Sequence, residues 1–142
     1  MFKKMFLGIM FLMSVSGIVL AAEKQSIDDK TVSLEAAQKW LGLVDQGKYD
    51  QTWSPAAEYF KALVSQSQWQ MQIQAVRQSL GNLLVRNLKT QDHKTSLPGV
   101  PDGEYYIFTF DSSFTSKKEA VETVTVMKDQ DGQWRLAGYF IK

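Results

Sequence analysis

The sequence predicts an α+β domain in which three N-terminal helices pack on one face of a four-stranded antiparallel sheet. Apolar residues recur at helical spacing between Ser33 and Leu80. After Gly81 the pattern changes to runs rich in Val, Thr and aromatic residues, which are typical of strands. Because the helical segments all precede the strands, the fold is expected to be α+β rather than an alternating α/β arrangement.

Start and stop signals delimit the three helices. The first is predicted to begin near Ser33 and to end at Gly47, and the second to begin at Ser54-Pro55. The third is predicted to begin at Ser67, with Gln70 completing a capping box. Their apolar faces comprise Ala37, Trp40, Leu41 and Val44, then Ala56, Tyr59, Phe60 and Leu63, then Trp69, Ile73, Val76 and Leu80.

Turn residues separate the four predicted strands, which comprise residues 83–95, 105–110, 118–128 and 133–141. The nearly continuous apolar run from Tyr105 to Phe110 predicts a central strand that is covered on both faces. In the last strand Gly138 indicates a bulge or a close backbone approach. Strict alternation there places Trp134 and Phe140 on one face, with Arg135, Tyr139 and Ile141 on the other.

These elements predict a hydrophobic core. Its expected members are Trp40, Leu41, Val44, Phe60, Leu63, Trp69, Ile73, Val76, Leu80, Ile107, Phe108 and Val124. The four tryptophans are interpreted as core residues, since large aromatics dominate small cores.

The first 22 residues have the pattern of a secretory signal peptide. Lys3 and Lys4 precede an apolar run that ends at Ala21-Ala22. We therefore expect a signal peptide at 1–22, a flexible leader at 23–32 and a single domain at 33–142, located in the periplasm or secreted. The chain contains no cysteine, so a disulfide, a thiolate metal site and a cysteine-linked lipid anchor are excluded.

Charge gives little indication of a partner. The chain has 16 basic and 15 acidic residues, and loss of Lys3 and Lys4 would change its net charge from +1 to −1. A near-neutral domain lacks the electrostatic pattern of a nucleic-acid-binding protein. We expect an unidentified periplasmic protein or small ligand as partner, with no nucleic acid, no cofactor and no membrane contact after cleavage.

Three charged residues are candidates for a polar pocket floor. Glu122 lies on the same face of its predicted strand as Ala120, Val124 and Val126. Arg77 of the third helix and Arg86 of the first strand could face it. The alternative interpretation is an ordinary ion pair at the edge of the sheet. For a catalytic carboxylate the only residues worth testing are Glu122 and Asp111, with Tyr106 as proton donor.

Other chemistry-bearing residues have simpler interpretations. His93 is the only histidine and lies at a polar strand end, so a solvated side chain is expected rather than a metal ligand or a base. Asp129, Asp131 and Gly132 resemble part of a calcium loop, but the later carboxylates are missing, and a hairpin turn is expected. No metal site is predicted.

The mature chain resembles a bacterial exported family catalogued as domain of unknown function 4019. The matching motifs include Ala36-Ala37-x-x-Trp40-Leu41, Leu43-Val44-Asp45-x-Gly47-x-Tyr49, Leu97-Pro98-Gly99-x-Pro101-Asp102-Gly103 and Asp131-Gly132-x-Trp134-Arg135-x-x-Gly138-Tyr139. The resemblance implies an exported stand-alone domain and no assigned activity. The element order also looks like the cystatin-like or nuclear-transport-factor-like cone, whose members include both enzymes and binding modules.

Two functional hypotheses remain open. The first is a non-enzymatic binding or interaction module, favoured by export and by the lack of a nucleophile–base pair. The second is a small cone-fold isomerase or hydratase that uses a buried carboxylate as general base. The second hypothesis requires an open pocket with an unpaired carboxylate at its floor.

Overall fold

The computed structural model describes the backbone of residues 16–142 and the side chains of residues 28–142. Its helices are α1 (Ser16–Asp45), α2 (Glu58–Leu63) and α3 (Gln66–Leu80), with a 3₁₀ helix at Tyr49–Gln51. Its strands are β1 (Leu83–Lys94), β2 (Tyr105–Phe114), β3 (Lys117–Lys128) and β4 (Trp134–Ile141). The strands form an antiparallel sheet in the order β1-β2-β3-β4. The predicted α+β class, with three helices before a four-stranded meander, is confirmed.

Helix α1 begins well before the predicted start at Ser33. The segment 23–32, expected to be a flexible leader, is helical. Asp29 fixes the described end of this segment, since its carboxylate lies 3.3 Å from Lys128 Nζ and accepts a bond from Trp134 Nε1 at 3.4 Å. Of the predicted signal peptide, residues 1–15 lie outside the described residues. Within the described part of the chain, no helix has the length and apolar character needed to cross a membrane.

The first two helices differ in how well their patterns predict burial. In α1 the residues Ala37, Trp40, Leu41 and Val44 are all buried, and the helix is followed by Gly47 at φ +73°. Helix α2 begins only at Glu58, because the Ala57 N–H donates to Leu136 in β4 at 2.8 Å and Ala57 is extended. Leu63 closes this short helix and is 67% exposed, so its predicted place in the core is wrong.

Helix α3 is capped two residues earlier than predicted. Ser65, not Ser67, is the N-cap, and Gln68 completes a reciprocal capping box with it. Arg77 occupies a buried position on the inner face of the helix, whereas Val76 lies beside it and is 38% exposed. The prediction of Val76 as a core residue is therefore wrong, because a charged neighbour takes the inward position.

A tight junction joins α3 to β1 at Gly81. The residue has φ +77°, and an added Cβ would lie 2.0 Å from Thr115 Oγ1 in the β2–β3 turn. That turn binds both sides of the junction, since the Ser116 N–H donates to Leu80 O and the Thr115 N–H donates to Asn82 O, each at 2.9 Å. Only glycine combines this backbone conformation with so little space.

Bulges in the outer strands decide which side chains face the helices. In β4, Ala137 is left over between the pairs Gly138–Thr125 and Leu136–Val126. The extra residue reverses the alternation, so Tyr139 and Ile141 share the inner face with Leu136. The bulge indicated by Gly138 is present beside it, but the strict alternation predicted for this strand is wrong.

The core lies between the helices and the inner face of the sheet. Trp40, Phe60, Trp69, Phe108 and Val124 are buried there, as predicted. Other predicted core residues that are buried are Leu41, Val44, Ile73 and Leu80. Ile107 is an exception, because its parity on β2 places it on the opposite, half-exposed face.

Coverage of β2 on both faces holds only at its start. Tyr105 is buried beneath the loop that precedes the strand, and its hydroxyl donates to Pro101 O at 2.5 Å. Ile107 and Thr109, further along the same face, are half-exposed. The remainder of this face is therefore open.

Candidate functional site

Six elements of the fold each contribute one polar residue to a cluster on the inner face. We call it the ionic cluster: Asp45 of α1, Arg77 of α3, Arg86 of β1, Ser112 of β2, Glu122 of β3 and Tyr139 of β4. Of the three residues proposed for a polar pocket floor, Glu122 contacts Arg86 directly, and Asp45 links Arg86 to Arg77.

Arg86 is the centre of the cluster. Its Nε donates to Glu122 Oε1 at 2.7 Å and its Nη2 donates to Glu122 Oε2 at 3.1 Å. The same guanidinium contacts Asp45, with Nη1 to Oδ2 at 2.6 Å and Nη2 to Oδ1 at 2.9 Å. This is the two-pronged geometry in which arginine and carboxylate bind most strongly.

Glu122 is fully buried and all its acceptor capacity is used. Besides the two bonds from Arg86, Oε1 accepts the Ser112 hydroxyl and Oε2 accepts the Tyr139 hydroxyl, each at 2.5 Å. A carboxylate offers about four lone-pair positions, and all four are taken here. Glu122 therefore has no position free to accept a proton from a substrate.

The cluster shifts the acid–base behaviour of its members. Burial raises the pKa of Tyr139 far above its ordinary value, and the negative charge and hydrogen bond of Glu122 add to the effect. Burial alone would lower the pKa of Arg86, but the hydrogen bonds and charges of Asp45 and Glu122 outweigh it and raise that pKa. Tyr139 thus stays neutral and Arg86 stays charged under all ordinary conditions.

Arg77 completes the balance of charge. Its Nη1 donates to Asp45 Oδ1 at 2.9 Å, and its guanidinium lies 4.9 Å from the centre of the Phe114 ring. Its Nε is buried and has no hydrogen-bond partner among the described residues. Two arginines face two carboxylates, so the cluster is electrically neutral, which is the composition expected of a structural ionic network. Arg77 and Glu122 are buried, whereas Asp45 lies at the surface with 21% of its side chain exposed.

Asp111 and Tyr106, the other candidates for catalysis, are not brought to Glu122. Asp111 lies on the opposite face of the sheet, exposed, with its carboxylate 3.4 Å from Lys89 Nζ. Tyr106 pairs with Val126, four residues from Glu122 along β3, which corresponds to about 13 Å. Tyr106 is buried against Phe108 and Trp134, and burial raises its pKa. The arrangement needed for general-base catalysis is therefore not formed by these residues.

The interior beside the cluster is filled with aromatic rings. Trp40 contacts Trp69 and Tyr139 at ring-centre distances of 6.1 and 5.3 Å, and Phe60 meets Trp69 edge-on at 4.9 Å. Four cavities of about 230, 260, 500 and 660 Å³ are found in the described part of the molecule, and Arg77, Arg86 and Glu122 line none of these four. None of these three charged residues is thus the floor of any of the four cavities, although Ser112 lines the cavity of about 500 Å³ and Tyr139 the cavity of about 260 Å³.

His93 and the β3–β4 turn have local roles. His93 Nε2 forms a half-exposed hydrogen bond with the Glu104 carboxylate, and its ring contacts the Tyr106 ring. In the hairpin loop Asp131 and Asp129 both bind Arg135, and this contact lowers the pKa of Asp131 to about 2. Among the described residues no group of three or more His, Asp or Glu side chains could hold a metal ion.

The face of the sheet opposite the helices is partly open to solvent, with Ile107, Thr109 and Thr123 half-exposed. Its central row crosses all four strands through the register pairs Thr90–Thr109, Thr109–Thr123 and Thr123–Phe140. None of these residues belongs to the hydrophobic core, and Phe140 is 60% exposed. We call this surface the outer face.

One end of the outer face is concave. A cavity of about 500 Å³, here called the outer cleft, lies where β1, β2 and β3 meet the end of the chain described. Its lining residues are Val85, Asn87, Asp111, Ser112, Ser113, Lys118, Glu119, Ala120, Val121 and Lys142. The side chains of Asn87, Lys118 and Glu119 make no hydrogen bond or ion pair with the described residues, so they are available to a ligand.

Three members of the ionic cluster were not identified from the sequence: Asp45, Ser112 and Tyr139. Asp45 carries a usable signal, because an acidic residue in the last turn of a helix opposes the helix dipole and needs another stabilising partner. Tyr139 was hidden by the bulge at Ala137. Ser112 has no signal beyond its parity with Phe110 and Phe114 in β2.

Fold and site together define a small α+β domain with a filled interior, a neutral ionic cluster around the buried Glu122, and an open sheet face. The family model described as "Protein of unknown function (DUF4019)" matches residues 36–139, and the chain belongs to this family. No curated protein and no solved structure matches the chain.

Proposed function

We propose that this chain is an exported, non-enzymatic binding module that binds its partner on the outer face of the sheet. The single observation that carries the proposal is the contrast between the two faces. The inner face is closed by three helices and by an ionic cluster in which every acceptor position of Glu122 is occupied, whereas the outer face is open and includes a cleft. Pockets of this size, roughly 300–1,000 Å³, are typical of ligand sites.

All four hydrogen-bond acceptor positions of Glu122 are occupied, and this supports a binding function over an enzymatic one. A general base needs a free lone pair and a pKa near neutrality, and it needs access to the substrate. Glu122 is fully buried and bonded by Arg86, Ser112 and Tyr139. The hypothesis of a cone-fold isomerase therefore loses the residue on which it depends.

The finer fold assignment and the location form part of the same proposal. Helix α1 contacts β2, β3 and β4 on one side of the sheet, which supports a cystatin-like or nuclear-transport-factor-like arrangement. The basic start and apolar run before Ala21-Ala22 support export to the periplasm or beyond.

The test is a thermal-shift screen of the purified chain against fractionated periplasmic extract and a small-molecule panel. A ligand that binds the folded state raises the melting temperature in proportion to its occupancy. Val121→Arg places a large charged side chain in the outer cleft, and Met71→Arg is the matched control at an exposed position of α3. We expect a fraction that stabilises the parent and Met71→Arg but not Val121→Arg.

Two results would contradict the proposal. One is the absence of any stabilising fraction. The other is an equal shift in Val121→Arg and the parent, which would place binding away from the outer face.

A further inference from the structure

We propose that the outer cleft binds a short peptide with free amino and carboxyl ends and apolar side chains. The inference rests on the proposed binding function and specifies the ligand class. It is carried by the charges, the apolar walls and the unpaired polar groups that the sheet register brings to one concavity.

The cleft presents charges of both signs. Glu119 contributes an unpaired carboxylate, and Lys118 and Lys142 contribute ammonium groups, whereas Asp111 is already paired with Lys89. A ligand that carries one ammonium and one carboxylate group can oppose Glu119 and a lysine at once, and this complementarity favours a zwitterion.

The uncharged lining matches the body of a peptide. Val85 and Val121 provide apolar walls, and Val85 is 52% exposed although it is a large aliphatic residue. Asn87 can both donate and accept hydrogen bonds, as the amide groups of a peptide require, and it has no partner among the described residues. Ser113 adds a hydroxyl group with the same dual capacity.

The register explains why these groups converge. Asn87 pairs with Asp111, and Asp111 pairs with Val121, so one row of the outer face crosses three strands. Val121 and Lys142 exchange backbone hydrogen bonds of 2.9 and 3.1 Å, which extends the same row to the end of β4. The neighbouring pair Val85–Ser113 closes the cleft at one end.

The test is isothermal titration calorimetry of the full chain with trileucine that has free ends, with N-acetyl-trileucine and with trileucine amide. We expect the free peptide to bind, and each blocked peptide to bind about three- to fivefold more weakly, the effect of losing one exposed ion pair. Binding should weaken as salt is added.

Charge variants assign each end of the peptide to its partner. In Glu119→Gln, acetylation of the amino end should cause a smaller further loss than in the parent. In Lys118→Gln, amidation of the carboxyl end should do the same. Lys94→Gln, exposed on β1 away from the cleft, is the matched control and should bind all three peptides as the parent does.

Each other outcome overturns the inference. Equal affinities for the free and the blocked peptides would show that the charged ends are not recognised. No binding at millimolar concentrations would remove the peptide as ligand class, while the proposed function would survive if an extract fraction still shifted the parent and not Val121→Arg. Failure of both experiments would remove the proposed function as well.

Discussion

The Tyr139 hydroxyl donates to Glu122 Oε2 at 2.5 Å, and the bulge at Ala137 makes this contact geometrically possible. Without the extra residue, Tyr139 would point to the outer face of β4. The single hydroxyl fills the last acceptor position of a fully buried carboxylate. A backbone irregularity in the closing strand therefore completes the hydrogen bonding of the Glu122 carboxylate.

Tyr139→Phe should destabilise the protein by about 1.5–3 kcal/mol at neutral pH, since a hydrogen bond to a buried charged group is lost. Burial raises the folded-state pKa of Tyr139 above the unfolded value of 10.0, so its contribution is complete below about pH 10 and declines as the pH rises further. The parent should lose up to about 1.4 kcal/mol per pH unit there because of this residue. Urea unfolding at neutral and alkaline pH measures the difference in free energy of unfolding between the parent and Tyr139→Phe. A difference that stays constant above pH 10 would contradict the assignment.

Removal of either partner of the central ion pair should be costly, and removal of both should cost less than the sum. Glu122→Leu and Arg86→Met should each destabilise by about 3–5 kcal/mol, because each leaves a buried charge without its main partner. A double-mutant cycle by denaturant unfolding gives the coupling energy. Lys89→Met removes the exposed pair with Asp111 and should cost under about 1 kcal/mol. Additive losses in the double variant would show that the pair is not coupled.

Substitutions of buried apolar residues should destabilise the protein much more than substitutions of exposed apolar residues. Trp69→Ala and Phe108→Ala should each cost about 3–5 kcal/mol, since both side chains are buried. Leu63→Ala and Val76→Ala should cost under about 1 kcal/mol, because Leu63 is 67% exposed and Val76 is 38% exposed. Thermal and denaturant unfolding measure the four variants. An unchanged melting temperature for Trp69→Ala would mean that the inner face of α3 is wrongly assigned.

Deletion of Gly138 to Lys142 should give an insoluble or proteolysed product. The deletion removes the partners of Glu122, Thr123, Val124 and Thr125 in β3 and exposes that strand as a long unpaired edge. It also removes Tyr139 from the ionic cluster. Soluble yield and protease resistance are the measurements, with Phe140→Ser as a full-length control whose exposed side chain is expendable. A soluble truncated form with a cooperative melt would show that the end of β4 is dispensable.

Export should remove the segment that ends at Ala21 or Ala22. Mass spectrometry of the protein from the periplasmic fraction should give a mature start at residue 22 or 23. Substitution of Lys3 and Lys4 by Glu should slow processing, because the positive n-region orients the signal. Recovery of intact Met1 in the membrane fraction would contradict the expectation.

Periodic patterns were sufficient to predict the class of the fold and the order of its elements. Trp40, Leu41 and Val44 lie on one helical face, and the strand runs follow recognisable turns. The errors lie where a tertiary contact overrides the local signal. The Ala57 N–H donates to Leu136 of β4, and α2 therefore starts later than predicted. Asp29 of α1 binds Lys128 of β3. Neither contact is visible in local sequence.

The site was predicted in part for the same reason. Strand alternation alone was enough to place Glu122 and Arg86 on the inner face. Each lies two residues from an apolar residue on the same face, Val124 for Glu122 and Leu88 for Arg86. Tyr139 could not be placed, since one bulge residue reverses the parity of everything after it. Asp45 lies in another element altogether, and its approach to Arg86 depends on how α1 crosses the sheet.

The Gly81 junction makes the helical half and the sheet half of the chain depend on each other during folding. The β2–β3 turn can bind Leu80 and Asn82 only after α3 has ended at the right place, and α3 gains these bonds only after the hairpin has closed. Neither half can therefore adopt its final geometry before the other has formed. Helix content and tertiary structure should therefore disappear in one cooperative transition, and a bulky residue at Gly81 should slow refolding as well as lower stability.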